Sequence, residues 1–471
     1  MHLVAIGGSD AGISAALRAR ELNSDTEVTV VVADAYPNFS ICGIPYYVSG
    51  EVTHWRNLAH RTLGDLEAAG MELRLDTVAR RIEASDHKLV VTGPDGAEDV
   101  MAYDALVVGT GAVSVRPPIE GLVGDHALGA EEGVHLLHSM GDTFAVMRTL
   151  EERSPARAVI VGAGYIGLEM AEALVARGLA VTQVEQLPEV LPTVDPELGA
   201  LVRAQLVEHG VEVRTETTVR RIRRTDQEQL EVTATTAEGA TVQIPTDLVL
   251  VVVGVRPDTE LAADAGAELG FKGAIAVDRQ MRTNLPDVFA AGDCAVTHHR
   301  LLGLTYLPLG TTAHKQGRVA GENALGASRE FAGSLGTQVV KVFDMVAART
   351  GLRDHEAQSA GFDPLTVAFE GDDHKAYYPG SHRVSTRYTG DRQTGRLLGV
   401  QLFGHRHAEV AKRIDIAAAA LFADLSVDQV SDLDLSYTPP LGSPWDVMQG
   451  GAQAWVRARR SSSVMTERTW S

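Results

Sequence analysis

The chain has 471 residues, 45% of them hydrophobic and 22% charged, a balance that excludes a disordered, collagen-like or disulfide-scaffolded protein and points to several domains. Forty-two Lys and Arg against 62 Asp and Glu leave a formal net charge of −20, which repels phosphate backbones and argues against nucleic-acid binding. No apolar run approaches the roughly 20 residues needed to cross a bilayer, and the N-terminus carries no basic leader, so the expectation is a cytoplasmic protein with no membrane partner.

In chain order, His2 to Ile6 is an apolar run that predicts a strand, ending at Gly7-Gly8-Ser9-Asp10-Ala11-Gly12. An Ala-rich helical stretch to about Leu22 and a second apolar run, Val28 to Val32, complete a βαβ unit. Val113 to Pro118 reads as an extended linker, because each proline biases its predecessor away from helix. The pattern then recurs: Ala158 to Val161, the turn Gly162-Ala163-Gly164-Tyr165-Ile166-Gly167, a helical stretch from Leu168 to Arg177, and the strand Ala180 to Val184. Leu248 to Val255 reads as a buried strand, and Gly254 to Asp258 as a second linker. From about residue 327 short strands alternate, with a helix around Lys412 to Phe422, and the Arg- and Ser-rich stretch after Gly450 predicts a loosely held tail. The expected fold class is therefore α/β, with two Rossmann-like dinucleotide-binding domains and a C-terminal α+β domain. Residues 1–115 and 255–326 form the first domain, 116–254 the second, 327–450 the third and 451–471 the tail.

A glycine turn between a strand and a helix lets the backbone approach a pyrophosphate, which the helix N-terminus stabilises, while an acidic residue after the second strand takes the ribose. The mid-chain copy is complete: Gly162, Gly164, Tyr165, Ile166 and Gly167 form the turn, and Glu185 follows the strand. No Arg follows Glu185 to accept a 2′-phosphate, so NADH is expected rather than NADPH. Gly254, at the second crossing, joins this cofactor-binding set. In the N-terminal copy Gly7, Ala11 and Gly12 are in place, Ser9 occupies the middle glycine position and the acidic partner, Asp34, lies two residues beyond the strand. Two further segments belong with it, Tyr103 to Gly111 and Thr283 to Asp293.

With these segments in order, the chain resembles the two-dinucleotide-domain flavoprotein disulfide reductases, also called pyridine nucleotide-disulfide oxidoreductases, from residue 1 to about 447. Thr110-Gly111 and Gly292-Asp293 match that family's second and third FAD motifs. The resemblance implies that Asp293 bonds the ribityl and pyrophosphate part of FAD, and that Leu309 to Asn323, with Lys315, begins a helix under the flavin. It also implies that residues 327–450 are a dimerisation domain and that the protein is a homodimer.

There are only two cysteines, Cys42 and Cys294. Cys294 lies inside the third FAD motif and reads as a buried small residue. Cys42 sits in Cys42-Gly43-Ile44-Pro45-Tyr46-Tyr47, and Tyr47 stands where dithiol members of the family carry a second cysteine, so an internal dithiol relay cannot form. A thiol before a helix is activated as the thiolate and can cycle through a mixed disulfide, persulfide or sulfenate. The motif resembles the single-cysteine branch of coenzyme A disulfide reductases, persulfide reductases, NADH oxidases and NADH peroxidases. Tyr377-Tyr378-Pro379-Gly380, Tyr437-Thr438-Pro439-Pro440 and Lys412-Arg413-Ile414-Asp415 are similar to segments of coenzyme A disulfide reductases. In those enzymes the tyrosines reach the cysteine from the partner subunit, which makes Tyr377, Tyr378 and Tyr437 catalytic candidates beside Cys42.

The expected activity is FAD- and NADH-dependent reduction of a small disulfide or persulfide such as coenzyme A disulfide. An NADH oxidase or peroxidase with a Cys42 sulfenate is the alternative within the fold, and a flavin redox sensor or electron-transfer partner the alternative outside enzyme chemistry. Arg20-Glu21 stands where coenzyme A-binding relatives often carry consecutive basic residues, leaving Arg18, Arg56 and Arg61 as candidates for the phosphates. His298-His299 and His405-Arg406-His407 lack companions at metal spacing, and no metal site is expected.

Overall fold

The structure, a computed structural model, describes residues 1–468, with side chains to residue 461. The chain forms two compact units: one from Met1–Pro118, Gly129–Ser154 and Val251–Ser334, the other from Ile119–Leu128, Pro155–Leu250 and the residues from Leu335 onward. Among the described residues no helix is long and apolar enough to cross a membrane.

The first unit is built on a parallel sheet in the order Val288–Ala290, Ala105–Val108, His2–Ile6, Glu27–Val31, Glu72–Arg74. Its two central strands are nearly continuous apolar runs, Leu3–Ile6 and Ala105–Val108 being buried throughout, as expected where helices or loops cover both faces. Ile6 stands opposite both Val31 and Val108, and Val108 opposite Ala290. The turns at Gly7, Gly109 and Gly292 therefore all leave from the carboxyl ends of neighbouring strands, the edge at which open α/β sheets bind ligands. Helix Asp10–Leu22 packs on helix Gly310–Ala324 at unusually close range. A Cβ on Gly317 would lie 2.3 Å from the Ala11 carbonyl oxygen, and one on Gly321 2.2 Å from that of Ala15. Two glycines one turn apart thus set the helix spacing. A three-stranded antiparallel sheet, Val78–Glu83, Lys88–Thr92 and Glu98–Ala102, completes the unit.

His135, in strand Val134–Leu136, is 3% exposed and its Nε2 lies 3.0 Å from Thr149 Oγ1 on helix Met140–Arg153. Burial, reinforced by the Arg153 charge, pushes its pKa down to about 4. The unfolded chain takes up a proton near pH 6.5 that the folded state refuses, so this contribution to stability is full above pH 6.5 and lost as pH falls to about 4. The loss amounts to about 3 kcal/mol. His135→Gln is expected to flatten the decline in melting temperature between pH 7.5 and 5; an unchanged decline would show that other groups carry it.

The second unit contains the other glycine-turn sheet, in which Glu212–Arg214, Ala180–Val184, Arg157–Val161 and Leu248–Val251 are successive neighbours. It also holds an antiparallel sheet in the order Gln338–Val342, Met345–Gly351, Leu397–His405, Arg383–Asp391, Pro364–Asp372. The central strand Leu397–His405 is buried at all but its last position. Polar ties join the two sheets into one unit. Arg387 Nε meets Asp195 Oδ2 at 2.6 Å, the Asp195 N–H donates to Gln401 at 2.6 Å, and Phe343 N–H donates to Glu172 at 2.8 Å. Glu356 is clamped by Arg349 and Arg353, whose other guanidinium N–H groups donate to the carbonyls of Thr193 and Pro192. Burial alone would raise the Glu356 pKa, but the two arginines outweigh it and hold it at about 2.

The loose tail expected after Gly450 needs correcting. Helix Val447–Arg468 covers residues 451–468 of it, residues 469–471 lying outside those described, and Trp455 is fully buried, its indole N–H donating to the Leu365 carbonyl at 2.7 Å. A Cβ on Gly390 would stand 2.5 Å from the Trp455 ring, so the strand Arg383–Asp391 makes room for it. Met448, Ala452 and Trp455 are buried at helical spacing, which Arg457, Arg460 and Ser461, exposed on the other face, obscure.

Candidate functional site

In the first glycine turn, Gly7 has φ +108°, and a Cβ on it would lie 2.0 Å from the Gly109 carbonyl oxygen. A Cβ on Gly12 would fall 2.1 Å from the Gly7 oxygen. Any side chain at either position would break the turn, and their absence leaves bare backbone facing outward from the sheet edge. Ser9 is tolerated in the middle position because it stands just before helix Asp10–Leu22 in extended backbone, at φ −102°, which needs no glycine. Ala11 is buried against Gly292 and Gly317. Asp34 is exposed and accepts from the Tyr36 N–H at 2.8 Å.

Gln316, fully buried on helix Gly310–Ala324, accepts from the Gly292 N–H at 2.9 Å and donates to the Val296 carbonyl. This fixes the turn that carries Asp293. Burial, with the nearby Asp10 charge adding to it, raises the Asp293 carboxyl to about 7. Such a desolvated carboxylate suits a ligand hydroxyl. Asn38 gives a second sign of a missing partner: it is 1% exposed, yet neither side-chain amide atom meets a partner among the described residues. The glycine cradles, Asp293 and Asn38 together fit FAD. Thr110 Oγ1 donates to the Asp258 carbonyl at 2.5 Å and Gly111 turns at φ +75° beside the short ladder Ala112–Ser114 with Val255–Pro257. Gly254, φ +112°, accepts from Val115 N–H at that ladder's end. Lys315 is exposed on its helix, and Cys294 is buried, its thiol pKa raised by burial.

The second turn repeats the design. Gly162 has φ +106°, and a Cβ on Gly167 would lie 2.2 Å from the Gly162 oxygen. Gly164 caps helix Tyr165–Ala176, and Gly164, Tyr165 and Ile166 stay half-buried at the turn. The Tyr165 phenol lies 3.3 Å from Thr193 Oγ1, and burial raises its pKa. Glu185, 7% exposed, accepts from the Ala163 N–H at 2.8 Å and the Leu187 N–H at 2.9 Å. Its carboxylate thus braces the turn from the end of the neighbouring strand. The bare turn and this acid fit a second dinucleotide, NAD(P)H.

Cys42 is exposed on the short turn Ile41–Gly43, which feeds helix Ile44–Ser49 with Pro45 in its first turn. The preceding segment is tied to the first glycine loop, since the Asn38 N–H donates to the Gly8 carbonyl at 2.6 Å. It is also tied to the 58–60 stretch, where Ser40 N–H meets Leu58 O at 2.8 Å and His60 N–H meets Asn38 O at 2.9 Å. Tyr36, Phe39, Trp55 and Phe144 pack edge and face around it with centroids 5.2 to 6.1 Å apart. The thiol therefore rides on a segment anchored to the FAD-type loop. Of the basic candidates, Arg18 is committed to Glu322 at 2.8 Å and to Glu21, and Arg56 lies over the Trp55 ring.

The three tyrosines belong to the second unit, where Tyr377 is 74% exposed, Tyr378 42% and Tyr437 45%. Their two loops are brought together: Lys375 N–H donates to Pro439 O at 3.3 Å. Beneath them Arg413, 6% exposed, grips the Asp446 carboxylate through Nε and Nη2 and donates to the Asp373 carbonyl at 2.7 Å. Sequence reasoning named the segment around Arg413 but missed this clamp, because its partners lie 33 and 40 residues away.

Comparison with known proteins agrees with this geometry. Residues 1–317 match the family described as pyridine nucleotide-disulphide oxidoreductase, and residues 337–447 its dimerisation domain. The chain is similar to an NAD(P)H sulfur oxidoreductase (CoA-dependent) of Pyrococcus abyssi, 35% identical over 446 residues, covering 94% of this chain and 96% of the relative. It is also similar to an NADH oxidase of Methanocaldococcus jannaschii, 32% identical over 94% of this chain and 95% of the relative. A solved NAD-dependent persulfide reductase from A. fulgidus superposes with a TM-score of 0.91 at 36% identity, covering 98% of this chain and 84% of that one.

Proposed function

The chain belongs to the pyridine nucleotide-disulphide oxidoreductase family, and on that premise we propose that it reduces a small disulfide or persulfide, of the coenzyme A class, at the single thiol of Cys42. It is an FAD- and NAD(P)H-dependent oxidoreductase. The observation that carries the substrate reading is the exposed Cys42, tied to the FAD-type loop through Asn38, with Tyr47 rather than a second cysteine on the following helix. The substrate sulfur therefore completes the disulfide that dithiol members form internally.

The Cys42 thiolate attacks the substrate R–S–S–R, forms Cys42–S–S–R and expels RS⁻, which takes a proton. FAD, when bound, would supply the electron pair from NAD(P)H needed to split Cys42–S–S–R into the Cys42 thiolate and, with a proton, a second RSH. With a persulfide, R–S–SH, the same balance yields RSH and hydrogen sulfide. Gly7, Gly12, Asp293 and the Thr110-Gly111 turn hold FAD, and the Gly162–Gly167 turn with Glu185 holds the nicotinamide nucleotide. With no Arg after Glu185, NADH is the preferred donor. In the homodimer that the dimerisation domain forms, the tyrosines of the 377–378 and 437 loops stand by the neighbour's Cys42 and donate O–H hydrogen bonds to the departing thiolate.

Asp293→Asn, which keeps the volume but removes the charge, is expected to weaken FAD retention about 10- to 100-fold, the range for a hydrogen bond to a charged group. Flavin fluorescence released on dilution measures it, and unchanged retention would remove Asp293 from the site. The function itself is tested by parallel assays of NADH and NADPH oxidation with coenzyme A disulfide, a low-molecular-weight persulfide, hydrogen peroxide and oxygen as acceptors. The proposal expects the sulfur acceptors to dominate with NADH. Dominant turnover of oxygen or peroxide would instead favour the oxidase chemistry named for the Methanocaldococcus relative.

A further inference from the structure

Three side chains from distant parts of the first unit converge beside the first glycine turn: Asp10 at the start of helix Asp10–Leu22, His60 in the loop after Leu58, and His314 on helix Gly310–Ala324. One ligand atom from each lies within 4.8 Å of the others. His314 Nε2 and Asp10 Oδ1 are 3.4 Å apart. That is long for a hydrogen bond, and it equals the edge of a tetrahedron with metal–ligand bonds of about 2.1 Å.

The surroundings orient these groups as a metal site requires. Ser14 Oγ stands 2.8 Å from His314 Nδ1. When the hydroxyl accepts from Nδ1–H, the lone pair of Nε2 is directed toward Asp10, the outer-shell arrangement usual for a ligating histidine. Asp10 is confined on its other side, since a Cβ on Gly310 would lie 2.8 Å from its Oδ2. His60 is fixed through its main chain to Asn38, and its exposed ring stands edge-on to His314, with centroids 6.0 Å apart.

We propose that Asp10, His60 and His314 form a binding site for a divalent transition metal, with Zn²⁺ the best-matched ion. Two imidazoles and one carboxylate are a zinc-type set, and the fourth position is left to water or a small ligand. The site adjoins the turn that carries Asp293, because Ala11, next to Asp10 on the helix, packs against Gly292. A bound dication there places positive charge next to the flavin-binding turn.

The test is Zn²⁺ titration of the FAD-loaded protein against a chromophoric chelator, with flavin absorbance recorded in each variant to confirm the fold. The unaltered protein and Cys42→Ser are expected to bind one tight Zn²⁺ per chain, and His60→Ala and His314→Ala to lose at least tenfold in affinity. Should His314→Ala fail to retain FAD, His60→Ala carries the test, because that residue is exposed. Tight binding that survives both histidine substitutions places the ion elsewhere and overturns the proposal. So does loss of binding in Cys42→Ser, which makes the thiol the ligand, or an absence of tight binding in the unaltered protein.

Discussion

Cys42→Ser is expected to lower turnover of disulfide or persulfide on the order of 1000-fold or more, the scale on which enzymes lose their nucleophile. The same variant is expected to retain FAD and to show NADH-driven bleaching of the flavin at an unaltered rate. This split follows from where the residue sits. Cys42 is exposed on the Ile41–Gly43 turn, whereas the glycine cradle, Asp293 and the Gln316 brace are built from other segments. A hydroxyl in place of the thiol leaves the turn's backbone ties through Asn38 and Ser40 in place. It removes the only atom in the segment able to form a bond to a substrate sulfur. The measurement is steady-state turnover with a sulfur acceptor beside stopped-flow flavin reduction. Full turnover in the variant would reject Cys42 as the reacting group, and loss of flavin reduction as well would give it a structural rather than a chemical role.

The second large effect is expected at Arg413. Its guanidinium and the Asp446 carboxylate are both nearly buried, and Arg413→Ala strands that carboxylate and removes the donor to the Asp373 carbonyl. Breaking a buried pair from one side costs about 3–5 kcal/mol. The Asp373 carbonyl begins the loop that carries Tyr377 and Tyr378, and Asp446 ends the stretch that carries Tyr437, so the damage falls on both tyrosine loops. Denaturant unfolding should show the lost stability, and turnover should fall while flavin content in the first unit persists. Arg413→Met with Asp446→Leu, which removes both charges together, is expected to recover most of the stability and little of the activity. If the double variant is fully active, the clamp serves packing alone.

How much of this was readable from the amino-acid order depends on how local each feature is. Both glycine turns were legible because a positive φ at Gly7 or Gly162 and the close approaches of Gly12 and Gly167 are demands made within a few residues. The strands before them were legible because burial on both faces leaves an uninterrupted apolar run. Ser9 looked like a defect in the pattern, and its extended backbone shows that this position never needed a glycine. The helix after Gly450, with one buried face, was missed because overall composition weighs Arg and Ser more heavily than Met448, Ala452 and Trp455 at helical spacing. The convergence of Asp10, His60 and His314 leaves no trace in spacing, since 254 residues separate the two histidines. The same holds for the Arg349–Glu356–Arg353 clamp, which reaches back to the carbonyls of residues 192–193. Contacts of that kind arise only once the sheets have assembled.

The most direct test of the central claim is the intact mass of the protein purified without reductant, followed by peptide mapping at Cys42. The account predicts that Cys42 carries a disulfide-linked thiol adduct or an added sulfur, and that one equivalent of NADH removes it. A Cys42 bearing oxygen additions alone, or an adduct that NADH leaves in place, would contradict it.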